Sequence, residues 1–101
     1  MTHQNQNQYR ITPRARDDLI AIARFTEHHW GKAQRDRDLK ALEHRFDWLA
    51  QNPGAGRHRE DVREGYFCYP QGRHLIFYLV RESGIAIIGI PHQHMDNDRH
   101  P

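Results

Sequence analysis

The 101-residue sequence predicts an α+β domain: a short N-terminal strand, an antiparallel helical hairpin, then a three-stranded antiparallel meander, in the order β-α-α-β-β-β. Three observations lead there. Apolar residues recur at three- and four-residue steps from residue 13 to about residue 52, interrupted once, at Gly31. Beyond residue 61 the period drops to two, and aromatic and β-branched residues concentrate. Two turn signals, Pro70-Gln71-Gly72 and Glu82-Ser83-Gly84, cut that second half into three strand-length pieces.

Residues 1–8 are rich in Gln and Asn and lack the apolar side chains that offset ordering entropy, so they read as a flexible arm. Residues 9–96 read as one domain, and 97–101 as a charged flexible tail. Tyr9, Arg10 and Ile11 form the first strand. Thr12 then caps a helix whose first residue is Pro13, where the missing N–H costs nothing and the fixed φ suits the helix. Ala15, Leu19, Ile22, Ala23, Thr26 and Trp30 make one stripe, with Arg14, Asp17, Arg24 and Glu27 outside it. Gly31 ends that helix. Leu39, Leu42, Phe46 and Leu49 line a second, which Asn52, Pro53 and Gly54 stop. The short link makes the two helices antiparallel neighbours. Asp38 stands at the edge of the second stripe where an apolar residue is expected, and Trp48 points away from it.

After a polar loop over 57–61, strands are expected at 62–69, 73–81 and 85–90, and Pro91 ends the last. In the middle strand Leu75, Phe77 and Leu79 alternate with Ile76, Tyr78 and Val80, so it is apolar on both faces and central. The helices cover one face only, which leaves the other for a partner.

The length suits a single domain with one modest core. A mean hydropathy of -1.00 and the absence of an apolar run of roughly 20 residues exclude a membrane-spanning helix. The polar start lacks the features of a signal peptide, so a cytoplasmic location is expected. Cys68, a lone thiol in an apolar stretch, reads as a small buried hydrophobe. Fifteen Lys and Arg against thirteen Asp and Glu give +2, and the pI is about 9.0. This mild excess suits an acidic partner but not the clustered basic stripe of a duplex-reading protein.

Nine histidines raise the question of a metal, and His92, His94 and Asp96 alternate along an extended segment. Zinc needs three or four convergent ligands, and the sequence offers no cysteine pair to complete a set, so no metal or other cofactor is expected. Neither a phosphate-binding Gly-rich loop nor a nucleophile elbow is present. Metal-independent RNA cleavage would need a base, an acid and cations, which His74, Arg73 and Arg81 could supply with Arg63 and His92 nearby. His74 and Arg73, however, alternate faces on one strand. Tyr66, Phe67, Tyr69, Phe77 and Tyr78 read as core rings in preference to a base-stacking surface.

Several strings in a fixed order carry a family resemblance. They are Thr12-Pro-Arg-Ala-Arg-Asp-Asp-Leu19, Trp30-Gly-Lys-Ala33, the Leu39, Leu42, Phe46 and Leu49 helix closed by Asn52-Pro53, Gly72-Arg-His-Leu-Ile-Phe-Tyr78, and His92-Gln-His-Met-Asp96. Together they span nearly all of the chain beyond residue 8, and the chain resembles the ParE branch of the RelE/ParE toxin superfamily of bacterial type II toxin–antitoxin modules. The resemblance implies that the N-terminal strand joins the sheet of the meander. It also implies a plasmid-stabilisation toxin that inhibits DNA gyrase by binding. A ParD-like antitoxin with an acidic C-terminal segment would neutralise it in a hetero-oligomer, the toxin alone having no sequence-specific DNA binding. A third reading is an interaction module that acts only with its antitoxin, on their own promoter.

The sibling RelE branch cleaves mRNA on the ribosome with strand Lys and Arg residues and a C-terminal Arg and Tyr. Here the segment after the last strand reads His92-Gln93-His94-Met95, without that Arg, and no Tyr follows. This argues against the RelE mechanism, while His74 keeps ribosome-dependent cleavage as the alternative. Target binding is accordingly expected at Arg73, His74, His92, Gln93, His94, Met95 and Asp96. Antitoxin binding is expected at Leu19, Ile22, Trp48, Phe77 and Leu79. Asp38 departs from the ParE pattern, where Tyr is expected. It marks either a weakened toxin or a solvent-reaching carboxylate near Arg35.

Overall fold

The computed structural model describes residues 8–93; His94, Met95 and Asp96 of the expected target surface, with residues 1–7 of the expected arm and the tail over 97–101, lie outside them. Strand β1 (Gln8–Ile11) leads into helices α1 (Pro13–Trp30) and α2 (Lys32–Gln51). A 3-10 turn at Pro53–Ala55 follows, then β2 (Arg57–His58), β3 (Phe67–Gln71), β4 (His74–Arg81) and β5 (Gly84–Gly89). The sheet order is β1-β5-β4-β3-β2, with β1 parallel to β5 and every other pair antiparallel. The expected α+β order holds, and the N-terminal strand does join the sheet.

The β1–α1 junction shows why the chain turns where it does. Thr12 Oγ1 accepts a hydrogen bond from the Ala15 N–H at 3.3 Å, capping α1, and donates to the Ile87 carbonyl at 2.9 Å. One hydroxyl thus starts the helix and ties it to the last strand. Gly31, at φ 91°, accepts a backbone conformation that side chains disfavour, and it joins the two helices without a loop. Arg35 reaches back across that junction to Glu27 at 2.6 Å.

Both helices pack on one face of the sheet. The core there comprises Ala15, Ile22, Leu42, Phe46 and Leu49 from the helices, and Ile76, Tyr78, Ile85 and Ile87 from β4 and β5. Tyr9 meets Phe46 edge-on at 5.4 Å between ring centroids, and Phe67 stacks on Tyr78 at 5.5 Å. Tyr78 is fully buried; its hydroxyl donates to the Pro53 carbonyl at 2.8 Å and accepts from the Gly56 N–H at 2.9 Å. Burial pushes the Tyr78 pKa up, and the hydroxyl pins the chain between α2 and β2 to the core.

Five expectations need correction. Gln8, assigned to the arm, pairs with Gly84 as the first residue of β1. The second expected strand, at 62–69, begins at Phe67 instead, because turn hydrogen bonds such as Val62 N to Arg59 O and Tyr66 N to Arg63 O curl the preceding segment into a loop. Part of the expected polar loop pairs as β2, with Arg57 opposite Cys68. Trp30 is 58% exposed despite its place on the α1 stripe, since the helix ends there; it joins Phe25 and His29 in an outward ring cluster. Residues 59–66 also reach the sheet face left for a partner. The Arg59 guanidinium sits 5.4 Å over Phe77, and Tyr66 lies 6.1 Å from the same ring, so the protein covers Phe77 itself.

Replacing Tyr78 with Phe keeps the ring but strands the Gly56 N–H and the Pro53 carbonyl. The expected loss, read from chemical denaturation, is about 1–3 kcal/mol, since a buried group deprived of its partner bears its full desolvation cost.

Candidate target-binding site

Four of the expected target-binding residues converge at the β3–β4 end of the sheet. The segment after β5 does not leave the sheet at Pro91, as expected, but continues the antiparallel pairing along the start of β4. The Leu75 N–H donates to the Pro91 carbonyl at 2.9 Å, His74 bridges His92, and the Gln93 N–H donates to the Arg73 carbonyl at 2.8 Å. A proline lacks only its own N–H, and here its carbonyl is the group required. The Gln93 side chain adds a 2.9 Å bond to the Gly72 carbonyl, fastening the segment to the β3–β4 turn. From α1, the Asp18 carboxylate accepts the Ile90 N–H at 2.7 Å and fixes the approach to Pro91.

The two imidazoles meet edge to face, with centroids 5.4 Å apart. Burial lowers the His74 pKa below its ordinary value of 6.5, and the neighbouring His92 lowers it further, while Asp38 and Asp18 oppose both effects. Asp38, out of place on the apolar stripe of α2, therefore acts on this site through its charge. Its Oδ1 accepts from Gln34 Nε2 at 2.7 Å, whereas Arg35 pairs with Glu27 and Asp36, so the expected neighbourhood of Asp38 and Arg35 is corrected. Arg73 is exposed on the turn beside the histidines.

Arg81 does not join them. It ends the strand that His74 begins, seven residues away, or roughly 23 Å at the rise of an extended chain. The set of His74, Arg73 and Arg81 is thus not one centre, and Arg63 lies in the 59–66 loop. No group of three or more His, Cys, Asp and Glu able to hold a metal ion occurs among the described residues. No helix among them is long and apolar enough to cross a membrane.

The five residues expected to bind an antitoxin do not share one surface, and Ile22 and Phe77 are buried. Leu19 lines an open groove of about 560 Å³ on the outer side of the hairpin, with Ile11, Ile20, Ala23, Leu39 and Phe46. Ile22 lies beneath it in the core, 8% exposed. Trp48, 39% exposed, stands near the C-terminus of α2 against Tyr69. Phe77 and Leu79 are on the opposite face of the sheet, Phe77 under Arg59 and Tyr66. Sequence reasoning missed Asp18 and Arg45, whose roles rest on partners 72 and 26 residues away.

A shared fold is the first conclusion that comparison supports. A chain of the chromosomal ParDE TA system from P. aeruginosa superposes with a TM-score of 0.74 at 18% identity, covering 90% of this chain and 98% of that one. Sequence then gives the family. Residues 9–97 match the model for the ParE toxin of the type II toxin–antitoxin system parDE. Toxin ParE1 of Mycobacterium tuberculosis is 36% identical over 94 residues, 92% of this chain and 96% of that protein. Toxin ParE1 of Caulobacter vibrioides is 34% identical over 92 residues, 91% of this chain and 95% of that protein. The chain belongs to the ParE toxin family of type II toxin–antitoxin systems.

A folded pKa below 6.5 means that the unfolded chain takes up the His74 proton first on acidification. Stability supplied by the neutral ring is therefore present above about pH 6.5 and lost as pH falls from there towards the folded value. An NMR titration is expected to place the His74 midpoint below 6.5. Asp38→Asn should lower it further and His92→Gln should raise it; a wild-type midpoint at or above 6.5 contradicts the assignment.

Proposed function

We propose that this chain inhibits DNA gyrase by binding, in the cytoplasm, and is neutralised by a ParD-like antitoxin. Its membership of the ParE family carries the reading. Arg73, His74, His92 and Gln93 would present the target-binding surface, held rigid by the backbone pairing between the start of β4 and the segment after β5. The separation of Arg81 from His74 supports binding over acid–base cleavage. The outer groove of the hairpin suits an amphipathic helix of the antitoxin. Its apolar floor includes Ile20, 44% exposed, and its rim carries Arg16, Asp36, Lys40 and Glu43.

One observation favours a second reading. The His74–His92 pair at 5.4 Å could serve RelE-type cleavage of mRNA as base and acid.

A supercoiling assay separates the two. Purified protein is expected to block supercoiling and accumulate cleaved DNA. Arg73→Glu should weaken that effect at least ~10-fold, since it replaces an attractive charge at the interface with a repulsive one. Gyrase that works normally overturns the proposal. Messages cleaved in a translating extract, and spared by His74→Ala, establish the alternative.

A further inference from the structure

Beside the target site, α2 carries an arginine whose position none of the preceding functions uses. The Arg45 guanidinium lies 4.9 Å over the Trp48 ring and 5.1 Å over the Tyr69 ring, and the two rings are 5.4 Å apart. Its Nε donates to Gln71 Oε1 at 2.8 Å. One of five N–H groups is thus engaged, and no acceptor among the described residues takes the others. With Ala41, His44, Trp48 and Gln71, Arg45 lines an open cleft of about 370 Å³.

An arginine in the middle of a helix ordinarily extends into water and samples many rotamers. Here two rings and an amide hold the guanidinium, so little conformational freedom is left to lose on binding. The terminal amino edge of a guanidinium held by its Nε offers paired donors matched to a carboxylate. Trp48, 39% exposed beside it, adds the apolar contact that, together with arginine, marks the strongest positions in protein interfaces. A nucleic-acid backbone would call for several cations spaced along a path. The cleft provides a single fixed guanidinium and one imidazole, His44, which suits a lone carboxylate with an apolar neighbour.

Gln71 stands directly opposite His74 in the β3–β4 ladder, so an occupant of the cleft lies against the His74–His92 site. We propose that the cleft lined by Arg45, Trp48 and Gln71 receives an Asp or Glu side chain of the antitoxin, and that its occupant shields the adjoining target site. The proposal rests on the antitoxin reading above and deepens it: neutralisation works by covering the target surface from the Arg45 side.

The test uses the full-length toxin and the full-length product of the adjoining antitoxin reading frame. Affinity is measured by calorimetry for wild type, Arg45→Gln and Arg45→Lys, with thermal melts as a folding check. Arg45→Gln is expected to keep gyrase inhibition within about twofold yet bind the antitoxin ~10- to 100-fold more weakly, the range of a charge-assisted pair. Arg45→Lys should rank between it and wild type. One Asp→Asn or Glu→Gln change in the antitoxin should reproduce the loss and add nothing in the Arg45→Gln background; this cycle decides the matter even if Arg45→Gln melts early. Equal affinity of wild type and both variants overturns the inference and leaves the antitoxin reading standing. A wild-type toxin that does not bind this antitoxin overturns both. A loss confined to single-stranded oligonucleotides assigns the cleft to nucleic acid and overturns the inference as well.

Discussion

The parallel pairing of β1 with β5 is the constraint on which the other features depend. It joins residues about 75 positions apart, and until it forms the helical hairpin has no fixed place on the sheet. Thr12 stands at the hinge, capping α1 while bonding to Ile87, so the direction of the first helix is set by the last strand. With α1 placed there, Ala15 and Ile22 meet the core, and Asp18 falls level with the Ile90 N–H. The residues after β5 are thereby aimed along β4. The candidate site follows from closing the sheet with its own first strand.

The chemistry of that site is shaped by what surrounds it. His74 and His92 are neighbours because backbone pairing continues past Pro91, and His74 sits under the influence of carboxylates from the two helices. Burial and the neighbouring ring disfavour charge on His74, while Asp38 and Asp18 oppose both effects. A surface fixed by backbone pairing, on which His74 resists charging beside an exposed Arg73, is suited to recognition. Such a surface carries its shape without reorganising, and the arginine supplies charge at its edge.

Much of the fold is legible from local pattern. Both helices, Gly31 as their junction and Thr12 as a cap follow from spacing and from what each side chain does to nearby backbone. The start of β3 was not legible, because Val62 and Tyr66 look like strand residues while Glu60, Asp61 and Gly65 favour turns, and only the hydrogen bonds decide. Trp30 misleads for another reason: a helical wheel assumes that the core extends as far as the helix does. At the site, the residues around His74 and His92 stood out as polar positions after a periodic strand. Arg45 did not, since on α2 it resembles any solvated cation until Gln71 and Tyr69 are brought beside it. Asp38 breaks the apolar stripe visibly in the sequence, but its electrostatic effect on His74 belongs to tertiary structure alone.

Gly84 gives the β1–β5 pairing a genetic dimension. It opens β5 at φ 141°, and a Cβ added there would fall within the backbone of Gln8, the first residue of the paired strand. Every missense change in a glycine codon introduces a Cβ, so at this position any amino-acid replacement, however small, pries the first strand from the last. A cell under selection to silence this gene thus has a ready target in a codon far from the His74–His92 surface, and an inactive allele can arise there with every residue of the candidate site intact.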